Sequence, residues 1–400
     1  MRAERLLLMA LALLGVAMPR SFLLLYLCFG TVLWIGRSRP TPPLPGLVRW
    51  SAAWLPLFGF AYAWMQVVWG VWSLSWSWAP EIAGVVLLPV AALLSGWLLA
   101  QWGSRQGSRA MVVYALGCLA YAALCLAVSR TPWWHLDQRF DLLIRVPWGP
   151  EAWRNVRSVE QRGFLALALL PVAWALLRTA PPKRLKALLL AVVAGLGWHV
   201  AWATGGRLGY AVLLLASLPC LLWLPSRWLQ GSALLVVGAA AAVAWGRGWL
   251  CDERYALMLG FVRRMPQAPW GGRQLVFPYT SCDPQTWLHF GSFPGANASL
   301  AHNVVLDVYN DAGIVPFACL VAAMLPLLWC VLRGFVLDFL SSGVGPGLQL
   351  RWAMFSVLLI EWMFQPLLYS DQQLFVMGFV FLGFVVAEFQ APQQGCQDES

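Results

Sequence analysis

The chain has 400 residues, 60% of them hydrophobic and only 11% charged, with a formal net charge of +10. Soluble domains run near 45–50% apolar and about 25% charged, so this balance excludes a soluble enzyme, a nucleic-acid-binding protein and a disordered scaffold. It also excludes an outer-membrane barrel, whose strands alternate in polarity instead of running continuously apolar.

A hydrocarbon core of about 30 Å takes about 20 helical residues per crossing. The apolar runs lie at 6–18, 21–36, 50–72, 82–102, 110–128, 163–178, 187–202, 208–224, 231–246, 303–332, 351–369 and 373–389. The first has the basic start of a signal peptide, but no small-residue cleavage site follows, so it reads as a short first span. The expected fold is an all-α polytopic membrane protein of about twelve transmembrane helices. Residues 1–246 would hold helices one to nine and 247–302 a large polar loop with short helices. Helices ten to twelve would fill 303–389, leaving 390–400 as a tail.

Of the 27 basic residues only Lys183 and Lys186 are lysines. With the N-terminus in the cytoplasm, the inner loops carry Arg2 and Arg5; Arg37, Arg39 and Arg49; Arg105 and Arg109; Arg178, Lys183, Arg184 and Lys186; and Arg227. The outer turn 73–81 carries no basic residue. This bias sets an N-in, C-in topology, and it accounts for the positive charge without a nucleic-acid partner. Trp50, Trp69, Trp72, Trp76 and Trp78 fall near span ends, where they read as an interfacial aromatic belt.

Two polar segments are then left outside: 129–162, with six arginines, and 247–302. No repeat, Walker motif, dinucleotide fingerprint or metal-ligand cluster is visible. His199 and Glu361 lie inside apolar runs, where an ionisable group is either functional or satisfied by a neighbouring helix. Cys28, Cys118, Cys125, Cys220, Cys319 and Cys330 read as small core residues.

The loop 247–302 holds Arg247, Arg254, Arg263, Arg264 and Arg273 against Asp252, Glu253 and Asp283. Asp252 is a candidate N-cap for a helix over 253–265 that Pro266 ends. Basic residues on the outer side oppose the charge bias, so they call for a reason. Arg bonds phosphate oxygens in pairs and keeps its proton, which suits an anionic ligand carried in the membrane; snorkelling to headgroups is the plain alternative. Arg207 closes a Thr-Gly-Gly-Arg turn between helices seven and eight. His302 and Asn303 open helix ten, and Asp307 and Asp311 follow at steps of four along one stripe. A histidine there can take a proton from a hydroxyl or bond a phosphate.

His302-Asn303 followed by Gly313, after an outer loop and at the head of a helix, resembles the signature of the O-antigen ligase family, which also includes O-antigen polymerases and protein O-oligosaccharyltransferases. The Thr204-Gly205-Gly206-Arg207 turn is similar to that family's Ser/Thr-x-x-Arg element. Arg254, before Pro269–Gly272, looks like its second arginine. The resemblance covers about 200–390, and one position departs from it: Pro316 stands where the signature carries Gly, Thr or Tyr.

This resemblance implies a glycosyltransferase of the bacterial inner membrane that needs no metal and no cofactor. Its donor would be a glycan on undecaprenyl diphosphate, its acceptor lipid A–core oligosaccharide, and its reaction face periplasmic, among membrane lipids. Arg207 and Arg254 would hold the diphosphate and His302 would activate the acceptor hydroxyl or contact the phosphates. Asn303 and Arg273 would complete the substrate contacts, and direct displacement would invert the anomeric centre. In that oxidising compartment Cys251 and Cys282 bracket the Arg254 helix. A disulfide between them would close a loop of about 30 residues and add ~3 kcal/mol. An O-antigen polymerase using the same donor is the nearest alternative. A transporter is the more distant one, and midplane broken helices would be expected of it.

Overall fold

The computed structural model describes residues 2–37, 43–102, 104–128, 156–178, 184–203, 207–224, 226–246, 253–278, 297–298, 300–340, 346–365 and 367–390. Each of the expected apolar runs falls on helix. The helices are α1 (Arg2–Val16), α2 (Phe22–Arg37), α3 (Gly46–Val68), α4 (Ala79–Gln101), α5 (Ser104–Val128), α6 (Val156–Leu167), α7 (Leu169–Leu177), α8 (Arg184–Ala203) and α9 (Arg207–Ser217). After a 3-10 turn at Leu218–Trp223 come α10 (Arg227–Gly246), α11 (Glu253–Arg264), α12 (Val304–Ala312), α13 (Ile314–Leu340), α14 (Pro346–Phe364), α15 (Leu367–Ser370) and α16 (Gln372–Gln390). The described strands are a two-residue antiparallel pair, Phe277–Pro278 with Asn297–Ala298.

Among the described residues five helical segments are long and apolar enough to cross a membrane: Ala79–Gln101, Gly107–Cys125, Ser158–Leu177, Ile314–Asp338 and Gln372–Gln390. A helix satisfies its own backbone hydrogen bonds, which is what a segment in lipid requires. Leu6, Leu23, Trp34, Trp76 and Leu235 stand exposed. An apolar surface of that extent belongs against lipid or another protein.

The core gathers around α16, whose residues from Gln373 to Ala387 are all buried. Its backbone meets that of α4 directly. A Cβ added at Gly96 would lie 2.0 Å from the Val380 carbonyl oxygen, and one at Gly383 would lie 2.2 Å from that of Leu93. Gly15 and Gly117 bring α1 against α5 in the same way. Small residues at crossings are how helices associate without a hydrophobic force between them.

Two expectations are corrected. The tenth apolar run is two helices: Gly313, at φ +86°, ends α12 and turns the chain into α13. The loop 129–162 also gives way to helix early, since α6 begins at Val156 and its span takes in Arg162. Arg162 is fully buried, because Asp371 meets its charge at 2.8 Å and the carbonyls of Gly15 and Ala17 accept from its Nη1 at 2.6 and 2.7 Å.

Candidate functional site

Side-chain contacts sort the helix ends into two groups. At one end Arg109 pairs with Glu4, and Arg351 bonds both Glu388 and Asp338. At the other, the α1–α2 turn meets the α15–α16 bend, and the C-terminal part of α3 meets α12. His302 lies at this second end.

α12 is organised by its polar residues. Asn303 is its N-cap, with Oδ1 accepting from the backbone N–H of Val305 and Leu306 at 3.1 Å each, as side-chain caps do. Asp307, one turn on, reaches back: its Oδ1 accepts from Ala301 N–H at 2.6 Å, and the backbone N–H groups of His302 and Asn303 lie close enough to favour its ionised form. His302 is thereby held at φ +57°, a left-handed conformation costly for a side-chain-bearing residue. Burial holds the Asp307 carboxyl well above its ordinary range, with Asp311 adding to the effect and the backbone N–H groups opposing it.

His302 and Asn303 are both buried, where three helices converge. Asn303 Nδ2 donates to the Met363 carbonyl on α14 at 3.3 Å and lies 3.8 Å from the Met258 sulfur on α11. Arg254 stands one turn before Met258 on that same helix. Arg207 opens α9, whose other end packs by the start of α14: Gln349 donates to the Ala216 carbonyl and Trp352 to that of Leu215. At about 1.5 Å per residue, Arg207 is ~14 Å from Ala216 along α9, toward the Met363 end of α14. The side chains of Arg207 and Arg254 lie outside the described residues, as do Thr204–Gly206, Arg247, Cys251, Asp252, Cys282 and Asp283.

The C-terminal end of α12 receives the loop after α11. Gly272 N–H bonds the Asp311 carbonyl at 2.9 Å, Arg273 N–H that of Asn310 at 2.7 Å, and Ile314 N–H that of Pro269 at 2.8 Å. The Asn310 side chain bonds the backbone of Leu275 in both directions. Gly271 has φ +81°, and a Cβ there would lie 2.5 Å from Gly313 N. Arg273 itself takes φ +55°. His302 and Arg273 are the two side-chain-bearing residues with positive φ among those described.

Arg273 Nε lies 2.9 Å from Asp311 Oδ1, and the Tyr62 hydroxyl donates to Asp311 Oδ2 at 3.0 Å. The guanidinium carbon sits 4.9 Å from the Tyr369 ring centroid. The Asp311 carboxyl is pushed up to about 6 by burial, although Arg273 and the Tyr62 hydroxyl bond pull it down. Arg273 and His302 thus serve opposite ends of α12; Asn303 and Asp311 are ~12 Å apart at the helical rise. The structure brings His302 and Asn303 together with the α11 and α14 helices, and sets Arg273 at a separate station.

Tyr369 on α15 joins this station to a second polar group. Ser370 exchanges hydrogen bonds with Gln161, and Asp371 takes Arg162 and the Ser158 hydroxyl. Arg162 also packs over the Tyr121 ring at 4.1 Å. Trp69 and Trp72, expected in an aromatic belt, wall the site. Trp69 Nε1 donates to the Trp270 carbonyl at 3.0 Å, and Trp72 meets the Tyr62 ring edge-on at 5.8 Å. The parts that sequence reasoning missed are Tyr62, Tyr369 and the Arg162–Asp371 pair. Asp311 was visible as a polar group on a helix, but its partners are up to 249 residues away.

Among the described residues no group of three or more His, Cys, Asp or Glu side chains is arranged to hold a metal ion. No protein-family model matches the chain, and no curated protein matches it.

Proposed function

We propose that the protein is a membrane glycosyltransferase of the O-antigen ligase kind. It moves a glycan from undecaprenyl diphosphate to lipid A–core oligosaccharide at the periplasmic face of the bacterial inner membrane. In this reading the chain crosses the membrane twelve times, with both termini in the cytoplasm. The observation that carries it is His302, buried and held in a left-handed turn by Asp307 at the junction of α11, α12 and α14. Holding a histidine in such a conformation is a cost characteristic of functional positions. Arg254 lies on α11, which packs on α12 at that junction, and Arg207 opens α9, which packs along α14; this supports a role for them with an anionic leaving group.

The chemistry follows from the leaving group. An acceptor hydroxyl attacks the anomeric carbon, its proton passes to His302, and the bond from that carbon to the diphosphate oxygen breaks. Negative charge grows on the diphosphate, so preorganised cations are the main electrostatic aid, and Arg207 and Arg254 supply them. Attack opposite the leaving group inverts the anomeric centre.

The test is the lipopolysaccharide banding pattern of a host lacking the gene, complemented with wild type or His302→Ala. Loss of every capped species, with long polymer left on its carrier, is the expected result for His302→Ala. Cores capped with single units mean a polymerase instead. Full restoration by His302→Ala makes the histidine structural and overturns the mechanism.

A further inference from the structure

A guanidinium is planar and offers its donors along three edges. In Arg273 the Nε edge faces Asp311 at 2.9 Å and one face lies over Tyr369 at 4.9 Å. Asp311 is itself fixed from a third element by the Tyr62 hydroxyl. The backbone is fixed too, through Gly272 N–H and Arg273 N–H, at a φ that favours glycine. What is left over is the edge between Nη1 and Nη2. No described residue bonds it, and the side chain is 41% exposed.

We infer that Arg273 is a built oxyanion receptor, whose Nη1 and Nη2 take two oxygens of one phosphate group on a membrane-borne ligand. An arginine serving only to pin its loop to α12 would not require a stacked ring or a preset plane, since the backbone bonds to Asn310 and Asp311 already hold the loop. Stacking and edge bonding freeze the fork before the ligand arrives, which removes an ordering cost that a free arginine bears on binding. The receptor is about a helix length from His302, so it takes a second contact on a long ligand, or a separate lipid. This rests on the transferase reading only for the identity of the anion: a phosphate of the lipid-linked donor or a phospholipid headgroup.

The test uses the full chain in dodecyl maltoside, a detergent without phosphate, with farnesyl diphosphate and phosphatidylglycerol as probes. Binding is compared for wild type, Arg273→Gln, Arg273→Lys and Arg264→Gln, an exposed arginine on α11 as control. Charge-assisted paired bonds make a loss of about 10–100-fold the expectation for Arg273→Gln. Arg273→Lys should lose nearly as much, because an ammonium has no fork, and Arg264→Gln should stay within about twofold. If Arg273→Gln fails to fold, Tyr62→Phe replaces it, with weakening of several fold expected. Diphosphate binding that depends on Arg273 supports both the receptor and the donor. Phosphatidylglycerol binding alone, with the same dependence, keeps the receptor and removes the donor from it. Binding of both probes unchanged in Arg273→Gln and Arg273→Lys overturns the inference.

Discussion

Asp307 Oδ1 accepts the backbone N–H of Ala301 at 2.6 Å and so closes the turn that carries His302 at φ +57°. Asp307→Ala leaves the buried N–H group of Ala301 without its acceptor, at about 1–3 kcal/mol for the group left unsatisfied. A clear fall in the detergent melting temperature is expected. Asp307→Asn, which keeps one acceptor oxygen, should recover part of it. Equal melting of Asp307→Ala and wild type would show that the turn holds itself.

The Arg162–Asp371 pair is buried on both sides. Removing one partner strands a charge, which costs about 3–5 kcal/mol. Arg162→Met and Asp371→Leu should each destabilise strongly, and the double variant should be less destabilised than their sum. Additive effects in that cycle would mean the two side chains act independently.

Asp311 gives a pH dependence with a definite sign. Its carboxyl is pushed up to about 6 from 3.8, so the folded state favours the proton. The stability this group contributes is full below the unfolded value and is lost as pH rises through about 6. Arg273 opposes that loss only when Asp311 is ionised. The destabilisation caused by Arg273→Gln should therefore be small at pH 5 and grow by pH 7.5. A difference constant with pH would count against the ion pair.

Glycine positions separate by what surrounds them. Gly271→Ala requires a left-handed alanine and a Cβ 2.5 Å from Gly313 N. A loss of about 2 kcal/mol or more is expected, read as a lower melting temperature and faster proteolysis of the 268–275 loop. Gly238 in α10 has no atom within 4 Å of an added Cβ. Gly238→Ala should be neutral or stabilise by about 0.5–1 kcal/mol. The reverse order would contradict both assignments.

The helical plan was legible because continuous apolar runs are local signals, and each expected run falls on helix. Asn303 and Asp307 were visible as polar residues at the head of a helix, but their roles as its cap and as the closure of the preceding turn were not read from the sequence, although caps act over a few residues. Gly313 is harder: nothing in an apolar run beginning at 303 shows that the chain turns there, because the turn is stabilised by Pro269 and Gly271 from another segment. Arg162 was assigned to a polar loop on its charge alone. Its carboxylate lies 209 residues further along the chain, and no spacing rule joins the two. Tyr62 and Tyr369 sit in apolar runs as ordinary aromatics, and only tertiary structure makes them a donor and a stacking surface for the Asp311–Arg273 station.

The enclosure of α16 also has a consequence in time. Its residues follow those of α1 to α15 in the chain, yet they fill the centre of the bundle against α4. The Pro19 carbonyl waits for Gln373 N–H, and the Leu14 carbonyl for the Gln373 side chain. Those acceptors on the α1–α2 segment therefore have no α16 partner until α16 has been made. The contacts of α16 with α4 and with the α1–α2 turn cannot form before α16 itself is made, so closing the seam between them follows the synthesis of every helix that borders it.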